Sequence, residues 1–287
     1  MTEESRPDGR SSRLARVAGV LFLTALLAIL TANVWLLSAQ LQTNQLRSRA
    51  HAFWALCHAG TTPEKRTEYF LQLVRDGNQE WQSARLSDLQ LDNADLANAR
   101  LEAAVFSNCQ FRGADFSEAI LNDSGLDNSD LTDAFFANAE ITNATLFKSV
   151  LKDADFRNAV LRSTSLEQAR AHDASFVAAK MGDAFLALTD ATGADFTGAD
   201  LSGANLEAAV LRDTDLALAN LFGTNLKDTD FTNSNWWRAR GLSSQQLDDL
   251  TLNFPPNPEA ADSRQRDFEI WLSKRINESP KGRPALE

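Results

Sequence analysis

A five-residue repeat runs without a gap from residue 86 to residue 236, and a large apolar residue occupies the central position of 29 of its 31 units. It is Leu at 18 of these 31 positions and Phe at 8, and the series fails only at Ala171 and Ala191. An α-helix repeats every 3.6 residues and a strand every 2, so a period of five fits neither element. The pattern therefore predicts a backbone that changes direction within every five-residue unit.

Two further positions within the five-residue unit indicate how each unit folds. The residue two places before the large one is Ala, Ser, Thr or Cys in 30 of 31 units, the exception being Leu89, and the residue two places after it is Gly, Asn or Asp in 21 of 31. Asn, Asp and Gly tolerate the positive φ of tight turns, so each unit carries its own corner. The large and the small side chain are both predicted to point inward. Such a chain stacks on itself as an all-β solenoid, with backbone hydrogen bonds between coils.

The spacing of phenylalanine predicts the number of units in a coil. Phenylalanine fills every fourth unit five times in succession, at Phe116, Phe136, Phe156, Phe176 and Phe196. Residues 20 apart would then stack on one face, at the strand spacing of about 4.8 Å. The pattern predicts about eight coils over residues 84–240, a rod roughly 37 Å long.

The N-terminal part of the chain predicts a membrane anchor. Residues 17–38 carry no charge, and as a helix they would span about 33 Å, against a hydrocarbon core of about 30 Å. A cleaved signal peptide is the alternative, although its apolar region is usually only about 7–15 residues long. Four arginines precede the segment and two follow it closely. This bias favours a cytoplasmic tail at residues 1–16 and an exported body, periplasmic or extracellular.

Helical patterns flank the rod and predict caps, because an uncapped solenoid exposes its core and its strand edges. Residues 39–83 are predicted to form a helical stalk and an N-terminal capping helix. That helix is expected to begin at Thr61 or Thr62, with Pro63 in its first turn, and to end at Gly77. Its apolar face consists of Tyr69, Phe70, Leu73 and Val74.

The C-terminal residues 241–287 are predicted to form a second helical cap and a tail. "SSQQLDDL" indicates a short helix, and "NPEAADSRQRDFEIWLSKRI" indicates a longer amphipathic one. The apolar side of the longer helix carries Phe268, Trp271, Leu272 and Ile276.

The stretch "GADLSGANL" matches the motif A(D/N)LXX, and through it the chain resembles the pentapeptide-repeat family. The resemblance covers about residues 84–240. It implies a right-handed quadrilateral β-helix. Family members often pair end to end through their C-terminal elements, so the resemblance makes Trp236, Trp237 and Trp271 candidate contacts of a homodimer or of the cap.

Composition and motifs argue against catalysis. Cys57 and Cys109 provide neither a disulfide framework nor a metal site, and Cys57 and His58 are sequence neighbours, which do not face one another in a helix. There is no phosphate-binding glycine loop, nucleophile elbow or cluster of metal ligands. We therefore expect no enzyme activity, no catalytic residue, no cofactor and no metal.

Charge is concentrated on the rod. The chain has a net charge of -11, which makes bare nucleic acid a poor direct partner. Residues 84–238 hold 24 acidic and 12 basic side chains, so the excess negative charge lies there. Because residues 20 apart are predicted to stack on one face, the sequence places a mostly acidic stripe there. A basic partner or divalent cations could bind this stripe. The alternative is that it is simply a solvated outer face. This candidate interaction stripe consists of Asp95, Asp115, Phe135, Asp155, Asp195 and Asp215.

Two hypotheses for function follow. The first is a non-enzymatic, membrane-tethered structural or protein-interaction module, anchored through residues 17–38, whose partner is an unknown protein. The second is implied by the resemblance, since some pentapeptide-repeat proteins imitate DNA and bind type II topoisomerases. DNA carries one negative charge per about 1.7 Å, and the net charge of the rod corresponds to about half that density.

Overall fold

The computed structural model describes residues 62–75, 81–257 and 262–278. The predicted tail at residues 1–16, the anchor at 17–38 and the stalk before residue 62 lie outside the described residues. Within these ranges, three α-helices flank or follow the repeat region: α1 (Pro63–Arg75), α2 (Ser244–Asn253) and α3 (Asp262–Glu278). A 3-10 turn spans Trp236–Arg238. Within the described ranges, none of the helices combines the length and the apolar character needed to cross a bilayer.

The repeat region is a parallel β-helix. Every isolated bridge joins a residue to the one 20 places later, from Arg85 with Val105 to Asn220 with Arg240, and the bridges fall into four ladders five residues apart. Two alternating bonds connect the coils: the N–H of Leu86 donates to the carbonyl of Val105 (2.7 Å), and the N–H of Val105 donates to that of Ala84 (2.8 Å). Each coil therefore contains four units, which is the period predicted from the phenylalanines.

A left-handed residue forms the corner of each unit. From the unit of Trp81 to that of Phe231, the position two places after the central residue has a positive φ, from 53° at Ser163 to 76° at Gly193. Its turn is closed by a bond from the N–H of the next small residue to the carbonyl of the large one, as between Ala94 and Leu91 (3.1 Å). A positive φ at the third turn residue is the requirement of type II geometry, which explains the Gly, Asn and Asp of this column.

Large and small side chains together fill the interior. The five phenylalanines of one face stack with centroids 4.6–5.1 Å apart and ring planes within 8° of parallel. The small residues are buried beside them, with exposures near zero. Ala171 and Ala191 are equally buried, and their N–H groups keep their ladder bonds (2.7 and 2.9 Å). The backbone therefore continues without a bulge where the large side chain is missing.

Helix α1 closes the N-terminal end of the core. Phe70 is fully buried, and its ring lies 4.4 Å from that of Trp81 and 6.4 Å from that of Phe106. Trp81 occupies the large apolar position one unit before Leu86, and its N–H donates to the carbonyl of Arg100 (2.7 Å). The five-residue register thus begins at Trp81, earlier than the pattern of Leu and Phe indicated.

Helix α2 begins over the last coil. Ser243 and Gln246 form a reciprocal capping box, and the Gln246 side chain also donates to the carbonyl of Thr224 (3.2 Å). Phe254, directly after the helix, packs edge-to-face on Phe231 at 6.0 Å. The helix is therefore joined to the rod through both a backbone acceptor and a core aromatic ring.

We expect Phe156→Asp to unfold the central coils, because the substitution places a charge inside the phenylalanine stack, where nothing can pair with it. Asp155→Asn, one residue away, should leave the unfolding transition within about 0.5 kcal/mol of the parent protein. Urea unfolding followed by circular dichroism measures both. An equal loss of cooperativity in the two variants would contradict the inward placement of residue 156.

Candidate interaction surfaces

The structure places the predicted stripe in a single ladder. Bridges connect its members in sequence, with Ser175 filling the gap: Asp95, Asp115, Phe135, Asp155, Ser175, Asp195 and Asp215. Phe135 is 47% exposed and interrupts the run of carboxylates. The 20-residue rule therefore brings these side chains to one face of the rod, with an aromatic ring among them.

The side chain of every aspartate in the stripe accepts a hydrogen bond from a backbone N–H nearby in sequence. The Oδ1 atom receives the N–H of the residue two places later, at 2.8 Å from Ser117 to Asp115 and at 2.8 Å from Thr197 to Asp195. The other three aspartates of the stripe, Asp95, Asp155 and Asp215, make the same bond at 2.9–3.3 Å. This bond satisfies the N–H of the first corner residue, a donor that the coil-to-coil ladder leaves over.

The same bond recurs on the other faces, where Asp or Asn stands at the equivalent position. Asn205 accepts from Glu207 (3.1 Å), and Asp230 accepts from both the N–H and the hydroxyl of Thr232 (2.9 and 2.6 Å). The acidic or amide residue of the repeat motif is thus a turn-forming group. The sequence predicts an interaction stripe or a solvated outer face at these aspartates, and it does not predict their role as acceptors in the turn.

Basic side chains neutralise part of the acidic surface through a second recurring contact. The side chain of the residue directly after a large apolar residue contacts the ladder residue 18 places later, on the next coil. Arg112 Nε lies 2.7 Å from Asp130 Oδ2, and Arg212 Nε lies 2.6 Å from Asp230 Oδ2. His172 Nε2 lies 3.0 Å from Asp190 Oδ2 in the same arrangement. The faces of the rod are consequently a mixture of ion pairs and carboxylates.

Asp155 shows how such a pair acts on a stripe residue. The Arg157 side chain binds both of its carboxylate oxygens, with contacts of 2.6–3.0 Å. These hydrogen bonds lower the pKa of Asp155 below its ordinary value, against the opposing effect of partial burial. Because this carboxylate is bound to its own arginine, Asp155 offers less free charge to a partner than the sequence suggested.

The repeats match the family model described as pentapeptide repeats, in 8 copies over residues 84–123, 139–176, 172–207 and 199–235. This repeat region belongs to the pentapeptide-repeat family. Pentapeptide repeats form right-handed quadrilateral β-helices, in agreement with the four ladders described above. No curated protein matches the chain.

Solved pentapeptide-repeat structures include several that align with much of the chain. HetL, a protein of heterocyst differentiation regulation from the cyanobacterium Nostoc sp. strain PCC 7120, is 24% identical, with 58% of this chain and 95% of that chain covered and a TM-score of 0.25. QnrB1, a plasmid-mediated fluoroquinolone resistance protein, is 19% identical, with 69% and 100% covered and a TM-score of 0.42. A protein of the Arabidopsis thaliana thylakoid lumen is 17% identical, with 68% and 89% covered and a TM-score of 0.15.

Large apolar side chains are exposed on the outside of this pentapeptide-repeat rod. Phe185 is 45% exposed, Leu188 58%, Leu218 65% and Phe222 70%. The two phenylalanines could be identified from the sequence because they stand beside the core column. The two leucines were missed because they occupy the corner position, where Gly, Asn and Asp prevail, with φ values of 60° and 63°.

The three candidate tryptophan contacts lie within the C-terminal cap. Trp236 and Trp237 are buried at 0% and 3% exposure, and their indole N–H groups donate to the carbonyl of Phe254 and to Asp267 Oδ2, both at 2.8 Å. Trp271 packs edge-to-face on Trp236 at 5.3 Å. These contacts serve the cap, and a dimer formed through the same side chains would require α3 to detach.

Ile276 does not share this environment. The sequence predicts it on the apolar side of the longer helix with Phe268, Trp271 and Leu272, yet it is 66% exposed, whereas Phe268 is 8% exposed. In its place Arg275 turns inward, with its guanidinium 5.6 Å from the ring of Trp271 and bonded to the carbonyl of Ser244 (3.2 Å). Helix α3 is therefore fixed at this end by a cation rather than by an aliphatic side chain.

The cysteine in the described part of the chain lies in the core of the rod. Cys109 is fully buried, and its Sγ lies 3.0 Å from the carbonyl of Leu86. Burial raises the pKa of its thiol to about 11, so the reactive thiolate is scarce at neutral pH. No group of three potential metal ligands occurs among the described residues. Cys57 and His58 lie outside them.

We expect Asp195→Ala to lower the free energy of unfolding by about 1 kcal/mol, because it removes the acceptor of the Thr197 N–H. Asp195→Asn keeps an oxygen at the same place and should cost less than half as much. Chemical denaturation of the two variants and the parent measures the difference. Equal effects of Ala and Asn would show that the charge of Asp195, rather than its turn bond, is what matters.

Proposed function

We propose that the chain is a non-enzymatic protein-interaction module that is tethered to a membrane by residues 17–38, with its pentapeptide-repeat rod exported. One observation carries the interaction part of this proposal. Leu188 and Leu218 stand at left-handed corners and are mostly exposed. A leucine with positive φ costs about 1 kcal/mol, and exposing its side chain returns nothing to the fold.

A strained backbone position that does not stabilise the fold indicates a function, because strained residues cluster at functional sites. Phe185 lies three residues before Leu188, and Phe222 lies four residues after Leu218, so each leucine has an exposed aromatic neighbour in sequence. Exposed apolar groups on a rigid support are typical of surfaces that bind other proteins. The polar groups of the rod, by contrast, are largely used in turn bonds and ion pairs, which supports binding over catalysis.

The tether rests on the sequence. An uncharged stretch of this length suits a single membrane span, and the arginine bias favours a cytoplasmic N-terminus. An exported rod would meet partners in the cell envelope or outside the cell. This placement also bears on the alternative function below.

The alternative is a DNA mimic that binds a type II topoisomerase, and the ladder of carboxylates favours it. Two observations oppose it: Phe135 interrupts the run of carboxylates, and Arg112 and Arg212 neutralise ladder aspartates one coil on. If gyrase supercoiling is unaffected by an excess of the purified chain, the mimicry hypothesis is wrong.

We expect Leu188→Asn combined with Leu218→Asn to stabilise the protein while it loses its partners. Asn tolerates a positive φ, so each change should add about 0.5 kcal/mol to the free energy of unfolding. In-cell crosslinking followed by recovery of the chain should at the same time yield less of the partner. The pairing of higher stability with weaker association cannot arise from misfolding.

Asn128→Leu is the matched control, because residue 128 is the equivalent corner three coils before residue 188, with a φ of 57°. This change should cost about as much stability as Leu188→Asn gains and leave crosslinking unchanged. Undiminished crosslinking of the double Asn variant would overturn the assignment of the two leucines to partner binding.

The topology of the chain is tested by reporters fused after Glu287. A reporter active only outside the cytoplasm should give signal, and one active only inside should not, because of the arginine bias. The opposite result would show that the rod is cytoplasmic. It would make the topoisomerase assay the decisive experiment.

A further inference from the structure

A cleft of about 740 Å³ lies between the last coil and helix α2. One wall is formed by residues 224–230 of the coil, and the other by one side of α2 together with Phe254. The chain leaves the β-helix after Arg240, so among the residues that the structure describes no further coil covers this part of the edge. The cleft is therefore bordered by the free edge of a parallel ladder.

The free edge presents two backbone donors. One coil earlier, the N–H groups of Leu206 and Ala208 donate to the carbonyls of Asn225 and Lys227, each at 2.9 Å. Leu226 and Asp228 hold the same places in the last coil, and within the described ranges their N–H groups have no acceptor. Two donors that lie two residues apart match the spacing at which one strand presents acceptors to another.

The floor of the cleft is apolar. Leu226 occupies a large apolar position of the repeat, yet it is only half-buried, whereas Leu206 directly beneath it is fully buried. Phe254, which is also half-buried, adds apolar surface from the opposite wall. An apolar side chain placed there would cover surface of Leu226 that the next coil covers at Leu206.

The walls are acidic. Asp228 projects from the coil with 72% of its side chain exposed, and Asp249 is exposed on α2. Asp230, a third lining carboxylate, is already bound by Arg212. Lys227 is the only cation among the lining residues, and its Nζ lies 2.6 Å from Glu207 Oε1, outside the cleft, against 3.8 Å from Asp228. Two carboxylates, one on each wall, thus remain largely unneutralised.

We propose that this cleft binds an extended, basic segment of a partner protein. The backbone carbonyls of the segment accept from Leu226 and Asp228, an apolar side chain covers Leu226, and lysine or arginine side chains reach Asp228 and Asp249. Binding by addition of a strand combines backbone bonds for affinity with alternate side chains for selectivity. The proposal deepens the proposed function, on which it rests, by naming a surface and the chemistry of its partner.

The test uses the full chain and a seven-residue peptide of alternating lysine and valine, blocked at both ends. We expect the peptide to slow amide hydrogen exchange at Leu226 and Asp228 at least tenfold when it saturates the protein. The same peptide with glutamate for lysine should bind at least tenfold more weakly, because it places like charges in the cleft. If the lysine peptide slows neither amide at about 1 mM, or if both peptides bind equally, the proposal is wrong.

Asp228→Lys combined with Asp249→Lys should weaken binding of the lysine peptide about tenfold or more. Lysine is tolerated at this corner, because Lys148 occupies the equivalent position with a φ of 57°. Asp183→Lys combined with Asp213→Lys is the matched control: it makes the same two charge changes at left-handed, exposed corners outside the cleft. Equal weakening by the control would show a general charge effect and overturn the proposal.

In-cell crosslinking separates this proposal from the proposed function. If the double Lys variant loses peptide binding yet keeps its crosslinked partners, the cleft is not the partner site, and the interaction module stands. If neither the parent nor any variant yields a crosslinked partner, the proposed function itself fails.

Discussion

The whole structure depends on one constraint, a left-handed residue at every fifth position. This residue turns the chain through a corner after each large apolar side chain, and the type II turn then returns the next small residue to the interior. Because the corners recur at equal intervals, each coil lies directly on the one before it. The ladders of backbone bonds and the phenylalanine stack both follow from that superposition. Without the corners, neither could form.

The corners also create a problem that the polar residues solve. A tight turn leaves one N–H without a place in the ladder, and that donor would otherwise rely on water alone. Asp or Asn at the position before the large residue accepts it, as Asp115 does from Ser117. Much of the acidic character of the surface is thus a consequence of backbone geometry. The features specific to this rod are the residues that depart from the repeat pattern, such as Leu188 and Leu218 at the corners and Phe135 in the stripe.

The architecture was largely predictable from sequence, because one pattern encodes period, burial and corner at once. The stack of Phe116 to Phe196 and the shared ladder of Asp95 to Asp215 follow directly from a spacing of 20. The ends were less accessible, because their contacts are not periodic. Trp81 could have been found by extending the register one unit, since it stands five residues before Leu86. The bond of Trp237 to Asp267, 30 residues apart, and the inward turn of Arg275 depend on how α3 docks, which no local pattern specifies. The cleft was not predictable for the same reason.

The register of 20 residues restricts how a gene for such a rod can change in length. Loss or gain of one whole coil leaves every later residue on its original face. Each residue then stacks on the equivalent residue of the coil that has become its neighbour. Loss of a single unit keeps the corners but turns the rest of the rod by a quarter, so that phenylalanines meet leucines and the acidic ladder ends at a seam. Loss of one residue moves the corner into the core. Related rods are therefore expected to differ in length by whole coils, and their surfaces to be inherited as stripes rather than as single sites.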